Sequence, residues 1–116
     1  MIIMDKIELK KLKTENRILL INHIKKKSIL RNKMLYEKEY FIKYIQNTLN
    51  ISYDCVIYTY NLFNKFKDKT NTVEFWFSCL YCSSLVYGEG ITQGRIYRVF
   101  GISEQTIRNH YLTITK

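Results

Sequence analysis

Between Ser103 and Tyr111 the chain places Gln105, Thr106, Arg108 and Asn109 within five consecutive positions. These residue types match the edges of nucleic-acid bases. The arginine fork can bond O6 and N7 of guanine together, and the amides of glutamine and asparagine can do the same for N6 and N7 of adenine. A short helix that presents such side chains near its N-terminus has the chemistry of a recognition helix in the major groove of duplex DNA.

Such a helix must be held, and the flanking residues supply the means. Thr92 can cap a short helix running to about Val99. Gly101 stands where a tight turn requires a residue that tolerates the left-handed region, and Ser103 can cap a second helix from Glu104 to about Thr113. Glu104 lies in the first turn, where a carboxylate complements the helix dipole. Ile96, Phe100, Ile102 and Ile107 fall at spacings that pack the two helices together, which turns Gln105, Thr106, Arg108 and Asn109 outward. The pattern therefore predicts a helix-turn-helix over 91–113, with Gln93 and Arg95 of its first helix completing the DNA-facing set.

Other chemistries find less support. Cys79 and Cys82 have the spacing of a thiolate pair, but a structural zinc site needs four ligands. The chain offers only Cys55, His23 and His110 besides, with no second close pair. The pair also lies inside the apolar run Phe75 to Tyr87, where cysteine behaves as a small hydrophobe, so burial is expected and no metal or cofactor is assigned. That run is the one segment resembling a membrane span. It is too short, has Glu74 at one end, and falls below the roughly 20 apolar residues a bilayer crossing needs. No nucleophile has a base beside it, and the acids are scattered, so no catalytic residue is assigned and an enzyme is not expected.

The chain has 116 residues, 47% hydrophobic and 25% charged, with no proline and 4 glycines. That composition suits one globular, all-helical domain. The net charge is +9. Its placement is uneven. Residues 1–34 hold ten Lys/Arg against three Asp/Glu, residues 35–88 hold five of each, and residues 89–116 hold four against two. A basic arm of this kind suits a phosphate backbone, and Lys25, Lys26 and Lys27 are candidate phosphate contacts, with a merely solvated lysine face as the alternative. Aromatic residues could stack bases, but most sit at core spacing. The apolar stretch at Met1 to Met4 is too short for a secretory leader, so the three cysteines point to a reducing compartment, cytoplasmic or nucleoid-associated.

Apolar spacing predicts about six helices. The first runs from Asp5 to about Lys27, with Leu9, Leu12, Leu19 and Leu20 forming an imperfect stripe. The second runs from about Leu35 to Leu49. A third, capped by Asn50 or Ser52, ends near Lys67 with Val56, Tyr60 and Phe63 on one face, and the stretch Lys67 to Asn71 reads as a linker. The fourth, Thr72 through Val86, is apolar on nearly every side and belongs at the centre of a bundle, with Cys79, Cys82, Ser83 and Ser84 small enough for close helix approach. Gly88 to Gly90 ends it. The expected division is a basic N-terminal helix or arm over 1–34 and a bundle of about five helices over 35–116.

The stretch Cys79 to Tyr111 resembles the second cyclin-like repeat of archaeal transcription factor B and eukaryotic general transcription factor IIB. Leu80-Tyr81, Thr92-Gln93, Gly101-Ile102-Ser103 and Thr106 to Asn109 carry the likeness in the family's order and spacing. From about Leu35 the earlier helices fit the five-helix repeat in number and length. The resemblance implies an all-α, cyclin-like bundle ending in a helix-turn-helix, with base reading at the positions of Gln105 and Arg108. Arg108 matches the family's residue type. Gln105 stands where valine is usual, and Tyr97 where a small residue is usual, so the family's DNA preference does not carry over.

These 116 residues hold no zinc ribbon and one repeat instead of two. The resemblance thus implies a single-repeat relative rather than a complete initiation factor: a double-stranded DNA-binding transcriptional regulator, with contact to the transcription machinery and homodimerisation on a palindromic site as compatible partnerships. The Lys, Ile, Asn and Tyr bias suits an AT-rich genome, such as that of an archaeal virus. The competing function is a protein-interaction adaptor that binds the transcription machinery or its own copy through an apolar face left by the missing repeat.

Overall fold

The computed structural model describes residues 25–66, 68 and 70–116, and these are helical without strands. Most of the expected first helix, with Leu9, Leu12, Leu19 and Leu20, lies outside them, as do His23, Lys67 and Lys69. Six helical segments are described: α1 over 25–36, α2 Lys38–Leu49, α3 Tyr53–Phe66, α4 Val73–Tyr87, α5 Gln93–Phe100 and α6 Glu104–Ile114.

The chain bends between α1 and α2 at Glu37 (φ −126°, ψ 51°), where one helix was expected to begin near Leu35. Glu37 N–H still bonds back to the Lys33 carbonyl, and its own carbonyl opens α2 by accepting from Phe41. The Met34 carbonyl, which an unbroken helix would offer to residue 38, accepts from the buried Tyr60 hydroxyl at 3.0 Å. A tertiary hydrogen bond thus serves the end of α1. Helix α1 spans positions 34 and 35, and its Leu30 and Met34 enter the same core as α2 to α6.

Each later helix turns apolar residues into the core, and on α2 the apolar spacing of Phe41, Tyr44, Ile45 and Leu49 is met except that Tyr44 is half-buried and Ile42 is buried as well. Phe41, Ile42, Ile45 and Leu49 line one side of α2, which Asn50 ends in the left-handed region at φ 55°. Asn50 therefore closes α2 rather than capping α3. Ser52 is the cap, its hydroxyl accepting from Cys55 N–H at 3.2 Å. Along α3, Cys55, Val56, Thr59, Tyr60 and Phe63 are buried.

Helix α4 is the central element, with α3 and α6 both packed on it. Thr72 caps it by accepting from Phe75 N–H at 3.2 Å, and Gly88 closes it at φ 65°. Its buried serines are each satisfied within the helix, Ser78 donating to the Glu74 carbonyl, Ser83 to Cys79 and Ser84 to Tyr81. Small side chains can thus occupy the core without orphaned hydroxyls. Only the last turn departs from the buried expectation, because Leu85, Val86 and Tyr87 reach the surface. Among the described residues no helix is long and apolar enough to cross a membrane.

Candidate nucleic-acid interface

Two short helices, α5 and α6, form the C-terminal unit, and local caps define their ends. Thr92 accepts from Arg95 N–H at 3.1 Å, starting α5 as expected. Gly101 ends it at φ 75°, ψ 17°, with its N–H bonded to the Tyr97 carbonyl at 2.8 Å. Ser103 occupies the N-cap position of α6, but its hydroxyl makes no capping bond, and only its carbonyl joins the helix, accepting from Ile107. Gly101 has the stronger local role. We expect Gly101→Ala to destabilise the protein by about 1–2 kcal/mol, the cost of forcing a Cβ into the left-handed region, measured by urea unfolding.

Ile96, Phe100, Ile102 and Ile107 are all fully buried, as their spacing predicts. Ring contacts then tie both helices to α4. Phe100 of α5 lies 4.4 Å from Phe77, while His110 and Tyr111 of α6 pack on Phe75 and Tyr81 at 5.2 and 5.7 Å. His110 is half-buried in this contact, and burial holds its pKa below the usual histidine value, opposed by the charge of Glu74. The His110 ring is an anchor against Phe75.

With Ile107 pinned inward, Gln105, Arg108 and Asn109 are exposed, and Thr106 is half-buried beside them. The three exposed side chains are joined. Arg108 Nη2 donates to Gln105 Oε1 at 3.1 Å, and Gln105 Nε2 donates to Asn109 Oδ1 at 3.1 Å. The spacing i, i+3, i+4 was the available signal for this chain of bonds, since such residues are neighbours on a helix surface.

The remaining predicted residues are not gathered with them. Arg95 is half-buried and points back to α2, its Nη2 donating to the Thr48 carbonyl at 3.5 Å in the last turn of that helix. Gln93 is half-buried at the start of α5. The lysine run divides. Lys26 Nζ donates to the Val99 carbonyl at 3.1 Å, and Lys27 forms an ion pair with Glu74 at 3.2 Å, whereas Lys25 is exposed. Lys26 and Lys27 thus fasten α1 to the ends of α5 and α4. Charge patterning could not disclose this, because the partners lie 73 and 47 positions away. Tyr97 is exposed on α5 and shares a shallow depression with Ser103, Glu104 and Gln105, beside the base-reading candidates.

Cys79 and Cys82 are buried in α4, as is Cys55 in α3. Burial pushes Cys55 and Cys82 up to about 11 from an ordinary 9.0, aided at Cys55 by the charge of Glu89, and holds Cys79 higher still. At neutral pH these groups are thiols, not thiolates. Because the folded state resists deprotonation, its stability is full below pH 9 and falls as the pH rises from 9 to about 11. A Cys55→Ala, Cys82→Ala variant should lose less stability across that interval than the parent, read from the urea midpoint at each pH.

Comparison with family models, with curated proteins and with solved structures finds no match.

Proposed function

We propose that this chain is a double-stranded DNA-binding transcriptional regulator, a cyclin-like repeat related to the second repeat of transcription factor B, which reads the major groove with α6 of a helix-turn-helix. One observation carries the reading: Gln105, Arg108 and Asn109 stand exposed on one short helix whose opposite side is fixed by the buried Ile107. A rigid helix that presents a guanidinium and two amides from its first turns supplies direct base readout. Exposed Lys25 and Arg98 add positive charge for backbone contacts, and the net charge of +9 favours counterion release.

The test is fluorescence anisotropy of labelled duplexes over a salt series. Binding should weaken steeply with salt, and selection from a random duplex pool should enrich a defined motif. Absence of duplex affinity at low salt would overturn the proposal.

A second reading, a protein-interaction adaptor, is favoured by a different surface. Leu85 and Val86 are 53% and 63% exposed. They border an open groove with Tyr58, Leu62, Tyr111 and Ile114. An apolar strip of this kind suits a protein partner or a second copy of the chain. Light scattering that finds a monomer without duplex affinity, together with capture of a transcription factor, would favour this reading over the first.

A further inference from the structure

Helix α3 carries a surface stripe with opposite charges at its two ends. Asp54, Tyr58, Asn61, Leu62 and Lys65 recur at helical spacing and share one side of the helix. All are exposed except Leu62, which is half-buried. Asp54 lies in the first turn and Lys65 in the last. About 16 Å of helix separates them, so they cannot pair with each other. Tyr58 and Leu62, at the middle of the stripe, line an open groove with Cys82, Leu85 and Val86 of α4 and Tyr111 and Ile114 of α6. Among the described residues no charged side chain lines this groove.

Resting on the adaptor reading of this surface, which admits a protein partner or a second copy, we infer that the occupant is a second copy of this chain, related by a two-fold axis through the middle of α3. In such an interface every contact between one residue and another is made twice, with the roles exchanged. The two α3 helices then run antiparallel. Tyr58 of each copy meets Leu62 of the other, and Asp54 at one end of each stripe meets Lys65 at the end of its counterpart. The stripe is complementary to its own reverse in apolar character and in charge. A parallel pairing would set acid against acid and base against base.

Charge elsewhere does not oppose this contact. A net charge of +9 sets two copies against each other at long range. The lysine run of α1, however, is fastened away from the groove. Lys27 pairs with Glu74, about 16 Å along α4 from Leu85, roughly twice the screening length of physiological salt. A phosphate backbone or an acidic peptide would find no cation in the groove. The exposed area sets the strength. Tyr58, Leu62, Leu85, Val86, Tyr87 and Tyr111 together show roughly 500 Å² per copy, so pairing removes roughly 1,000 Å² from water, about the least a specific interface needs. The dimer is therefore weak and reversible, with a dissociation constant in the micromolar range. Tyr87 packs on Tyr58 at 5.7 Å and holds that ring in place before the second copy arrives.

The experiment is sedimentation equilibrium of the full chain across the micromolar range. It compares the parent with Leu85→Lys, Asp54→Lys, Lys65→Asp and the double variant Asp54→Lys, Lys65→Asp. The parent should pass from 14.0 kDa to twice that mass as its concentration rises. Leu85→Lys places a charge in the groove and should raise the dissociation constant at least about tenfold. Each single charge change sets like charges together at two symmetry-related places and should weaken the dimer by about tenfold, while the double variant exchanges the pair and should return to within about threefold of the parent. All the substituted positions are exposed, and an unchanged circular-dichroism spectrum reports intact helices. A parent that stays at 14.0 kDa throughout would overturn the inference; capture of a transcription factor by that monomer would leave the adaptor reading standing, and duplex affinity the DNA-binding one. A dimer indifferent to Leu85→Lys would place the contact on another surface and overturn it as well. So would a double variant that stays dissociated, because antiparallel α3 helices require the exchanged charges to meet again.

Discussion

Arg108→Ala should weaken binding to a selected duplex by about 1–3 kcal/mol, equivalent to roughly fivefold to a hundredfold or somewhat more, and relax the preference at one base pair. The effect has two sources. The guanidinium is the only group on the exposed face of α6 that can present two parallel donors to a base edge. It is also the residue that holds the Gln105 oxygen at 3.1 Å, so its loss frees the two amides to rotate. Arg108→Lys should recover little of the discrimination, because an ammonium is a point charge without the planar fork. The salt slope separates base reading from charge: removing a phosphate-contacting lysine lowers it by about one unit, whereas loss of a base contact leaves it nearly unchanged. Anisotropy at several salt concentrations reads both quantities. An Arg108→Ala protein that binds its selected duplex like the parent would remove α6 from the interface.

Trp76→Ala should cost about 3–5 kcal/mol of stability, the range for emptying an aromatic site in a packed core, a large share of the roughly 5–15 kcal/mol that holds an ordinary domain together. Trp76 is fully buried in the first turn of α4. Its ring meets Phe41 of α2 at 4.9 Å and Tyr60 of α3 at 5.3 Å, and it lies 5.2 Å from Phe77, which in turn holds Phe100 of α5. Loss of the indole would loosen the support under α5 and α6 along with the core. Trp76→Phe should behave differently. Among the described residues, the buried Trp76 Nε1 has no hydrogen-bond partner, and leaving a buried donor unmade costs about 1–3 kcal/mol. Phenylalanine loses some packing but removes that donor, so the two effects offset and the net change should stay within about 1 kcal/mol. Urea unfolding of the three proteins tests this. A Trp76→Phe protein as unstable as Trp76→Ala would show that the indole N–H has a partner.

The helices were legible in the sequence wherever a local rule governs them. Thr72 and Thr92 cap because a hydroxyl three residues before an amide can reach it, and Gly88 and Gly101 terminate because glycine alone enters the left-handed region at little cost. Ile96, Phe100, Ile102 and Ile107 were readable as a packing face from their spacing. The exposure of Gln105, Arg108 and Asn109 followed, since fixing Ile107 inward turns its neighbours outward.

Long-range partners decided the rest. The bend at Glu37 accompanies the Tyr60 hydroxyl taking the Met34 carbonyl across 26 positions, which apolar spacing in 34–41 cannot signal. Lys25, Lys26 and Lys27 are identical in type, yet only the packing of α1 shows that Lys26 serves the Val99 carbonyl and Lys27 the Glu74 carboxylate. Arg95 likewise looked equivalent to Arg108 until the end of α2 came within its reach. Sequence by itself determined helices α2 to α6, the threonine caps and glycine ends of α4 and α5, and the kinds of side chain offered at the C-terminal unit, because these depend on residues a turn or so apart. Tertiary structure alone decided which charged groups are already engaged and which way the amides of α6 point, because a hydrogen bond is settled by where its partner lies in space.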